Sequence, residues 1–288
     1  TTITNNHIML YNEATGYDGI QLRYVANKAK IGLAINGANQ LKQGRQWDVS
    51  HVPTINSYKG NVGSTTTWDF YTKSKEIDTE FRTMSSGATG LYFGLYKDTD
   101  GHVGSISPYN GYLHEFIFYD KDLTDLEMNK VHTYLAVKYG VTLSSFGVST
   151  DASKGDYIAT DGSIIWNNGQ WANEYHRDVI GIGRDDSQGL LQKQSHTFDD
   201  ATRIYLNTLA ATNVANGGTF SSDISYLFAG RNNGAMHASG ARDHEIPSPS
   251  LGSCDLSSRL DREWKITKTN FSEEFSIDIT LDATGAAA

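Results

Sequence analysis

The sequence is short of cysteine, of long apolar runs and of positive charge, and each shortage excludes a class of protein or partner. Cys254 is the single cysteine among 288 residues, so a disulfide framework and a cysteine-based metal site are both excluded. No run of about 18 apolar residues occurs, and no segment is therefore expected to span a membrane. The formal net charge of -9 disfavours nucleic acid and anionic membrane surfaces as partners.

What the chain does contain is typical of a β-rich protein. Aromatic residues make up 11% of it, including 16 tyrosines, and glycine occurs 28 times against only 4 prolines. Serine, threonine and asparagine separate short apolar runs, which favours short strands joined by polar turns and argues against disorder. The length suits two domains of about 100–200 residues each.

Short runs in the first half are apolar or alternate between apolar and polar residues. Polar turn material separates them, and their spacing of about 10–15 residues is typical of a β-sandwich. The predicted strands are 7–11, 20–25, 30–35, 66–71, 76–81, 90–96 and 112–119.

One segment, residues 123–141, predicts a helix instead. Thr124 is placed to cap its N-terminus, and Glu127 three residues later completes a capping box. Gly140 suits the left-handed residue that ends a helix, and Val141 is placed to pack back on the last turn.

A polar stretch at 144–156 follows the helix and is predicted to be a linker. We therefore expect two domains, at 1–143 and 144–288. The second domain is also expected to be β-rich, because short apolar runs resume after the linker. Its predicted strands are 157–159, 163–166, 178–182, 203–206, 224–229, 261–268 and 274–281.

Two parts of the chain resemble known families. Residues 111–143 (GYLHEFIFYDKDLTDLEMNKVHTYLAVKYGVTL) resemble the closing segment of LamG-like, concanavalin A-like jelly rolls in large bacterial surface proteins. The residues that match the tail of that segment are Tyr134, Leu135, Lys138, Tyr139, Gly140 and Leu143. Residues 156–168, 175–195 and 259–266 resemble a β-rich domain of unknown function that commonly follows such jelly rolls.

This resemblance implies the fold and the setting. It implies an all-β chain in which a LamG-like antiparallel β-sandwich, a jelly roll with one terminal helix, is followed by a second β-rich domain. A full jelly roll would have further strands before Thr1, so the first domain is expected to be N-terminally incomplete. The sequence ends directly after a strand-like stretch, so the second domain is expected to be C-terminally incomplete. The chain would then be part of a longer polypeptide that is extracellular or displayed on the bacterial cell surface.

The function that the resemblance implies is noncatalytic binding or adhesion, with a glycan or another cell-surface component as the partner. That inference is an analogy of fold. No Gly-x-Ser-x-Gly motif marks a nucleophile elbow, and the nine histidines form no metal-binding pattern, so an enzyme is not expected. The noncatalytic alternative is a purely structural spacer in a long surface protein.

The main catalytic alternative is an acidic strand, Glu76-Ile77-Asp78-Thr79-Glu80. Alternate side chains of a strand share a face, so Glu76, Asp78 and Glu80 would line up. The pattern resembles the Glu-x-Asp-x-Glu strand of jelly-roll glucanases related to laminarinase and lichenase. That resemblance implies a nucleophile, an assisting acid and an acid/base in this order. The same alternation also describes an ordinary solvent-facing strand.

Two further groups of residues are candidates for binding. Asp98 and Asp100, in Asp-Thr-Asp-Gly, would bring two carboxylates to one turn, which makes calcium the candidate cofactor, although an acid-rich turn is the plain alternative. Trp166, Trp171 and Tyr175 cluster in an Asn/Gly-rich region and would suit the apolar faces of a sugar. Core packing is the alternative for these aromatic residues.

Three other positions receive structural predictions. His132 lies alone on the predicted helix and is expected on the surface, whereas His176 is expected to be structural. Gly181-Ile182-Gly183 has too few glycines for a dinucleotide fingerprint and no following helix, so it is predicted to be a β-turn.

Overall fold

The computed structural model describes residues 7–14, 19–25, 28–34, 47–48, 53–59, 65–72, 75–83, 88–93, 107–108, 112–143, 155–168, 174–199, 201–235 and 260–280. These residues are mostly antiparallel β-strand with one α-helix, which confirms the all-β class. The chain divides into two compact units, Thr1–Thr124 and Asp125–Ala288. Within the described ranges no helix is both long and apolar enough to cross a membrane.

The described residues of the first unit form two sheets. Its strands are β1 (His7–Ala14), β2 (Gly19–Val25), β3 (Lys28–Ala34), β4 (Trp47–Asp48), β5 (Asn56–Lys59), β6 (Thr65–Thr72), β7 (Lys75–Thr83), β8 (Ala88–Phe93) and β9 (Ser107–Pro108). One sheet has the order β4-β3-β2-β1-β8, with β9 paired in parallel to β1, and the other has the order β5-β6-β7. Six of the predicted strands of the first half coincide with β1, β2, β3, β6, β7 and β8.

The predicted strand at 112–119 does not form. These residues are neither strand nor helix, and Tyr112 is 88% exposed. An alternating sequence becomes a strand only when a neighbouring strand supplies backbone hydrogen bonds, and no pairing in the described chain involves this run.

The second unit contains the helix and three small sheets. Its elements are α1 (Asp125–Tyr139), β10 (Tyr157–Ile158), β11 (Ile164–Trp166), β12 (Arg177–Asp185), β13 (Leu190–Gln192), β14 (Gln194–His196), β15 (Thr202–Leu206), β16 (Ser225–Arg231), β17 (Trp264–Thr269) and β18 (Phe275–Ile279). The strands form the hairpin β10-β11, a sheet β13-β12-β16-β17 and a sheet β14-β15-β18, all antiparallel.

The main core of this unit lies between its two larger sheets. Alternate residues of β12, β15 and β16 point inward, because successive side chains of a strand face opposite sides. Two phenylalanines from the connecting segments close this layer with a T-shaped contact at 6.0 Å. The buried cluster comprises Ile180, Ile182, Ile204, Leu206, Phe220, Leu227, Ala229 and Phe271.

The opposite face of the four-stranded sheet is also buried, and there aromatic rings lie over glycines. Gly181 is paired with Phe228, and Gly183 with Tyr226. A Cβ atom on Gly183 would come within 2.2 Å of the Tyr226 ring. The prediction of a β-turn at Gly181–Gly183 is therefore wrong. These glycines lie inside β12 because only a residue without a side chain leaves room for the rings.

The predicted helix is confirmed as α1, and its end has the expected geometry. Gly140 has a left-handed φ of 63°, and the Val141 N–H donates to the Ala136 carbonyl at 3.0 Å. This bond is the one that defines a Schellman motif.

Helix α1 belongs to the second unit and packs on its strands. The Thr133 hydroxyl accepts a hydrogen bond from the Ile158 N–H at 2.8 Å, and Lys130 Nζ donates to the Thr160 carbonyl at 2.7 Å. The predicted division at 143/144 assigned the helix to the first domain, whereas the division between compact units precedes α1. The polar sequence after the helix suggested a linker, but the buried face of α1 is covered by strands that come later in the chain.

His132 lies inside this contact, so the prediction of a surface position is wrong. Its side chain is 1% exposed, and burial lowers the pKa of His132 to about 4. Burial favours the neutral imidazole because a charged ring would lose its hydration.

Candidate functional site

A polar groove lies in the second unit, where the start of β18 meets the end of β15. Its volume is about 460 Å³. The residues that line this polar groove are Leu206, Asn207, Gly217, Gly218, Thr219, Glu273, Glu274, Phe275 and Ser276. The groove depends on the pairing of Leu206 with Phe275, since that pairing joins two segments far apart in the chain.

Two glycines form the floor of the polar groove. A Cβ atom on Gly218 would lie 2.4 Å from Leu206 Cβ, so this loop crosses β15 more closely than any other residue would allow. A Cβ atom on Gly217 would lie 3.4 Å from Asn207 Nδ2. Asn207 itself has a left-handed φ of 55°, a conformation that asparagine tolerates well.

One wall of the polar groove is a loop that a buried asparagine holds in place. Asn216 Nδ2 donates to the carbonyls of Leu206 at 2.9 Å and Thr208 at 3.2 Å. Asn216 Oδ1 accepts from the Gly218 N–H at 2.8 Å. These bonds satisfy a polar side chain that is 1% exposed, and they fix the floor and the wall together.

The other wall is fixed by Glu273. Its Oε1 accepts from the Ser221 N–H and hydroxyl, each at 2.6 Å, and its Oε2 accepts from the Ser272 N–H at 3.0 Å. Partial burial tends to raise the pKa of Glu273, but the hydrogen bonds from Ser221 and Ser272 outweigh burial and leave it below its usual value. Glu273 is therefore an ionised, fully engaged structural group.

Four other polar side chains face the polar groove and are not held by hydrogen bonds of this kind. Asn207, Thr219, Glu274 and Ser276 form no side-chain hydrogen bond with any described residue. They offer an amide, two hydroxyls and a carboxylate, which together can both donate and accept hydrogen bonds. The polar groove therefore combines hydrogen-bonded walls with polar groups that remain available for hydrogen bonds.

The described lining of the polar groove contains two carboxyl groups, and one of them is already engaged. Glycoside hydrolysis requires two carboxyl groups placed for acid and base chemistry. The lining supplies Glu273, which already accepts three hydrogen bonds, and Glu274, which is exposed. In the described part of the chain, no three acidic, histidine or cysteine residues come together as metal ligands.

The aromatic residues proposed from the sequence do not form a shared exposed surface. Trp166 is 0% exposed, and its indole N–H donates to His176 Nδ1 at 3.0 Å. Its position fits the packing alternative, because a fully buried ring has no face to offer to a sugar. Tyr175 is partly buried and donates its hydroxyl hydrogen to Glu263 at 3.0 Å. Trp171 lies outside the described residues.

His176 has the structural position that was expected. Because Nδ1 accepts from the Trp166 indole, Nε2 carries the proton and donates to the Leu143 carbonyl at 2.9 Å. Burial lowers the pKa of His176, although the bond to Leu143 opposes the shift. The neutral ring thereby joins the segment after α1 to β11.

The acidic residues of the catalytic alternative lie on β7. Its pairing with β6 is regular from Thr65–Thr83 to Phe70–Asp78 and then shifts by one residue, so that Glu76 pairs with Tyr71. The side chains of β7 lie outside the described part of the structure, and the catalytic hypothesis stays a prediction. Asp98 and Asp100 lie outside the described residues, and the calcium hypothesis stays a prediction.

A second polar cluster, around Asp185, is a structural feature. Its buried carboxylate accepts from the Tyr226 hydroxyl at 2.9 Å, the Thr160 N–H at 3.0 Å and the Thr160 hydroxyl at 2.6 Å. Burial and the neighbouring carboxylate both raise the pKa of Tyr226. The cluster joins β12 and β16 to the β10-β11 hairpin.

Residues 127–288 match the model of one protein family, the domain of unknown function DUF8202. The chain belongs to the DUF8202 family. The matched part begins inside α1, in agreement with the packing of this helix on the second unit. Neither a curated protein nor a solved structure matches the chain. The polar groove lies within the DUF8202 domain.

Proposed function

We propose that this protein is a noncatalytic binding module and that its DUF8202 domain binds a glycan in the polar groove. The observation that carries the proposal is the set of four unengaged polar side chains, Asn207, Thr219, Glu274 and Ser276, between two hydrogen-bonded walls. A sugar offers hydroxyl groups that both donate and accept hydrogen bonds. Amide, hydroxyl and carboxylate groups match both roles.

The rigidity of the polar groove also supports binding. Asn216 and Glu273 already hold the two walls, so a ligand would not have to order them. The ordering of loops and side chains is one of the main free-energy costs of association, and a preformed site avoids much of it.

The setting that we propose is a secreted or cell-surface bacterial protein. The resemblance of residues 111–143 to LamG-like jelly rolls supports this setting. A LamG-like identity of the first unit stays a prediction, because the matching tail residues lie in the second unit. Adhesion is then the role that fits a glycan-binding domain beside such a sandwich. Calcium, held by Asp98 and Asp100, stays part of this proposal as a candidate cofactor of the first unit.

A glycan array probed with the whole chain, with and without a calcium chelator, tests the proposal. We expect neutral glycans to bind, and we expect the double variant Asn207→Ala/Glu274→Ala to lose that binding. Glu174→Ala is the matched control, because Glu174 is an exposed carboxylate outside the polar groove. If no glycan binds under either condition, the spacer alternative replaces this proposal. Release of reducing sugar from a β-glucan would favour the hydrolase alternative.

A further inference from the structure

The outward face of β15 continues the polar groove along the sheet. Thr202, Ile204 and Leu206 of β15 are buried, so Arg203 and Tyr205 face the other way. Tyr205 is directly paired with Ser276, which lines the polar groove. Directly opposed residues in an antiparallel pair have Cβ atoms about 4.5–5.5 Å apart. Tyr205 therefore stands at the rim of the polar groove.

The ring of Tyr205 is held in a defined orientation. Its hydroxyl lies 3.2 Å from both carboxylate oxygens of Asp278 and donates to that group. Asp278 follows Ser276 by two residues, so both lie on the same face of β18. The tyrosine side chain consequently reaches from β15 across to β18, with its ring beside the polar groove.

The stacking contacts of the Tyr205 ring differ from those of the neighbouring Phe275 ring. Within the described chain, no aromatic or cationic side chain stacks on Tyr205, whereas Phe275 on the neighbouring strand lies under Lys268 at 4.7 Å. The apolar face of a pyranose, with its C–H groups, packs favourably on an aromatic ring whose hydroxyl is engaged elsewhere.

We propose that Tyr205 is the stacking platform of the site and that the ligand is an oligosaccharide of two or more units. One sugar packs on the Tyr205 ring, and the next lies in the polar groove against Asn207, Glu274 and Ser276. The carboxylates of Glu273 and Glu274 repel a negatively charged sugar at that position. The ligand class is therefore a neutral or amine-bearing oligosaccharide, not a uronic acid polymer. This inference rests on the proposed function.

The test is titration calorimetry of the whole chain with four hexasaccharides: chitohexaose, cellohexaose, the chitosan hexamer and hexagalacturonate. We expect a neutral or amine-bearing hexamer to bind and hexagalacturonate not to bind. Tyr205→Ala should weaken binding at least about tenfold, the size of effect expected for loss of one stacked ring. Tyr205→Phe retains the ring and should stay within about threefold of the wild type.

Tyr175→Ala is the matched control, because Tyr175 also donates its hydroxyl hydrogen to a carboxylate but lies outside the polar groove. Thermal unfolding of each variant checks that the fold is retained. Wild-type affinity in Tyr205→Ala, or tightest binding of hexagalacturonate, overturns the inference while leaving glycan binding in place. If Tyr175→Ala loses binding and Tyr205→Ala does not, the inference is overturned in favour of the aromatic residues Trp166, Trp171 and Tyr175. If the wild type binds none of the four hexamers, this inference fails, whereas the proposed function fails only if the glycan array also shows no binding.

Discussion

Gly183 is the position in the second unit where the smallest substitution should have a large effect. In Gly183→Ala the new Cβ would lie 2.2 Å from one Tyr226 ring carbon, 2.7 Å from a second and 2.9 Å from the Ser225 carbonyl oxygen. Real Cβ atoms do not approach other atoms so closely, so either the ring or the β12–β16 pairing must move. Tyr226 is 0% exposed and donates to Asp185, which leaves the ring no free space to enter.

The size of the effect follows from these two contacts. Overpacking a well-filled core costs about 1–3 kcal/mol. A displaced Tyr226 would also weaken a hydrogen bond to a carboxylate, which is worth about 1.5–3 kcal/mol. The two effects share one displacement and are not fully additive, so we expect Gly183→Ala to lower the free energy of unfolding by about 3 kcal/mol.

Urea unfolding followed by tryptophan fluorescence measures this change, since Trp166 is buried in the same unit. Gly217→Ala is the control, because its Cβ would make an ordinary 3.4 Å contact at the surface of the polar groove. In a Tyr226→Ala background, Gly183→Ala should cost clearly less, because the two ring contacts are gone and only the 2.9 Å contact with the Ser225 carbonyl oxygen remains. An equal cost in both backgrounds would refute the steric explanation.

Three other predictions concern pH, the buried carboxylate and the groove wall. The pKa of His132 is about 4 in the folded protein against 6.5 for the unfolded chain, so the unfolded state binds more protons between these values. The contribution of His132 to the free energy of unfolding should therefore be complete above pH 6.5 and should fall by about 3 kcal/mol as the pH drops to 4. The urea midpoint should fall with it, and burial of His176 acts in the same direction. Asp185→Asn should cost about 2 kcal/mol in urea unfolding, because an amide replaces carboxylate acceptors of buried donors, and an unchanged midpoint would contradict the role given to this cluster. Asn216→Ala should speed hydrogen exchange of the Gly218 amide and weaken glycan binding, and an exchange rate equal to that of the wild type would mean that the wall has another support.

Much of the secondary structure follows from local sequence. The alternating runs at 203–206 and 224–229 become β15 and β16 within a residue or two, because strand period and turn residues are local signals. Helix α1 is equally local, since its capping-box residues and its terminating Gly140 lie within one short segment. The short strands β13 and β14 were not predicted, although the equally short β11 was.

The candidate site was not predicted, and the reason is physical. Asn207, Gly217 and Glu274 carry no motif, and only the pairing of β15 with β18 brings them to one groove. The Gly217-Gly218 pair was the one local signal, and it is equally typical of a plain turn.

The sequence by itself determined the all-β class, the positions of most strands and the place and ends of one helix, because these depend on period and capping within a few residues. The tertiary structure alone decided which faces are covered. It placed His132 and Trp166 in the interior, put Gly181 and Gly183 under aromatic rings, and assigned α1 to the second unit. Burial is set by segments that are distant in the chain, and no local pattern specifies which segment will pack against a given residue.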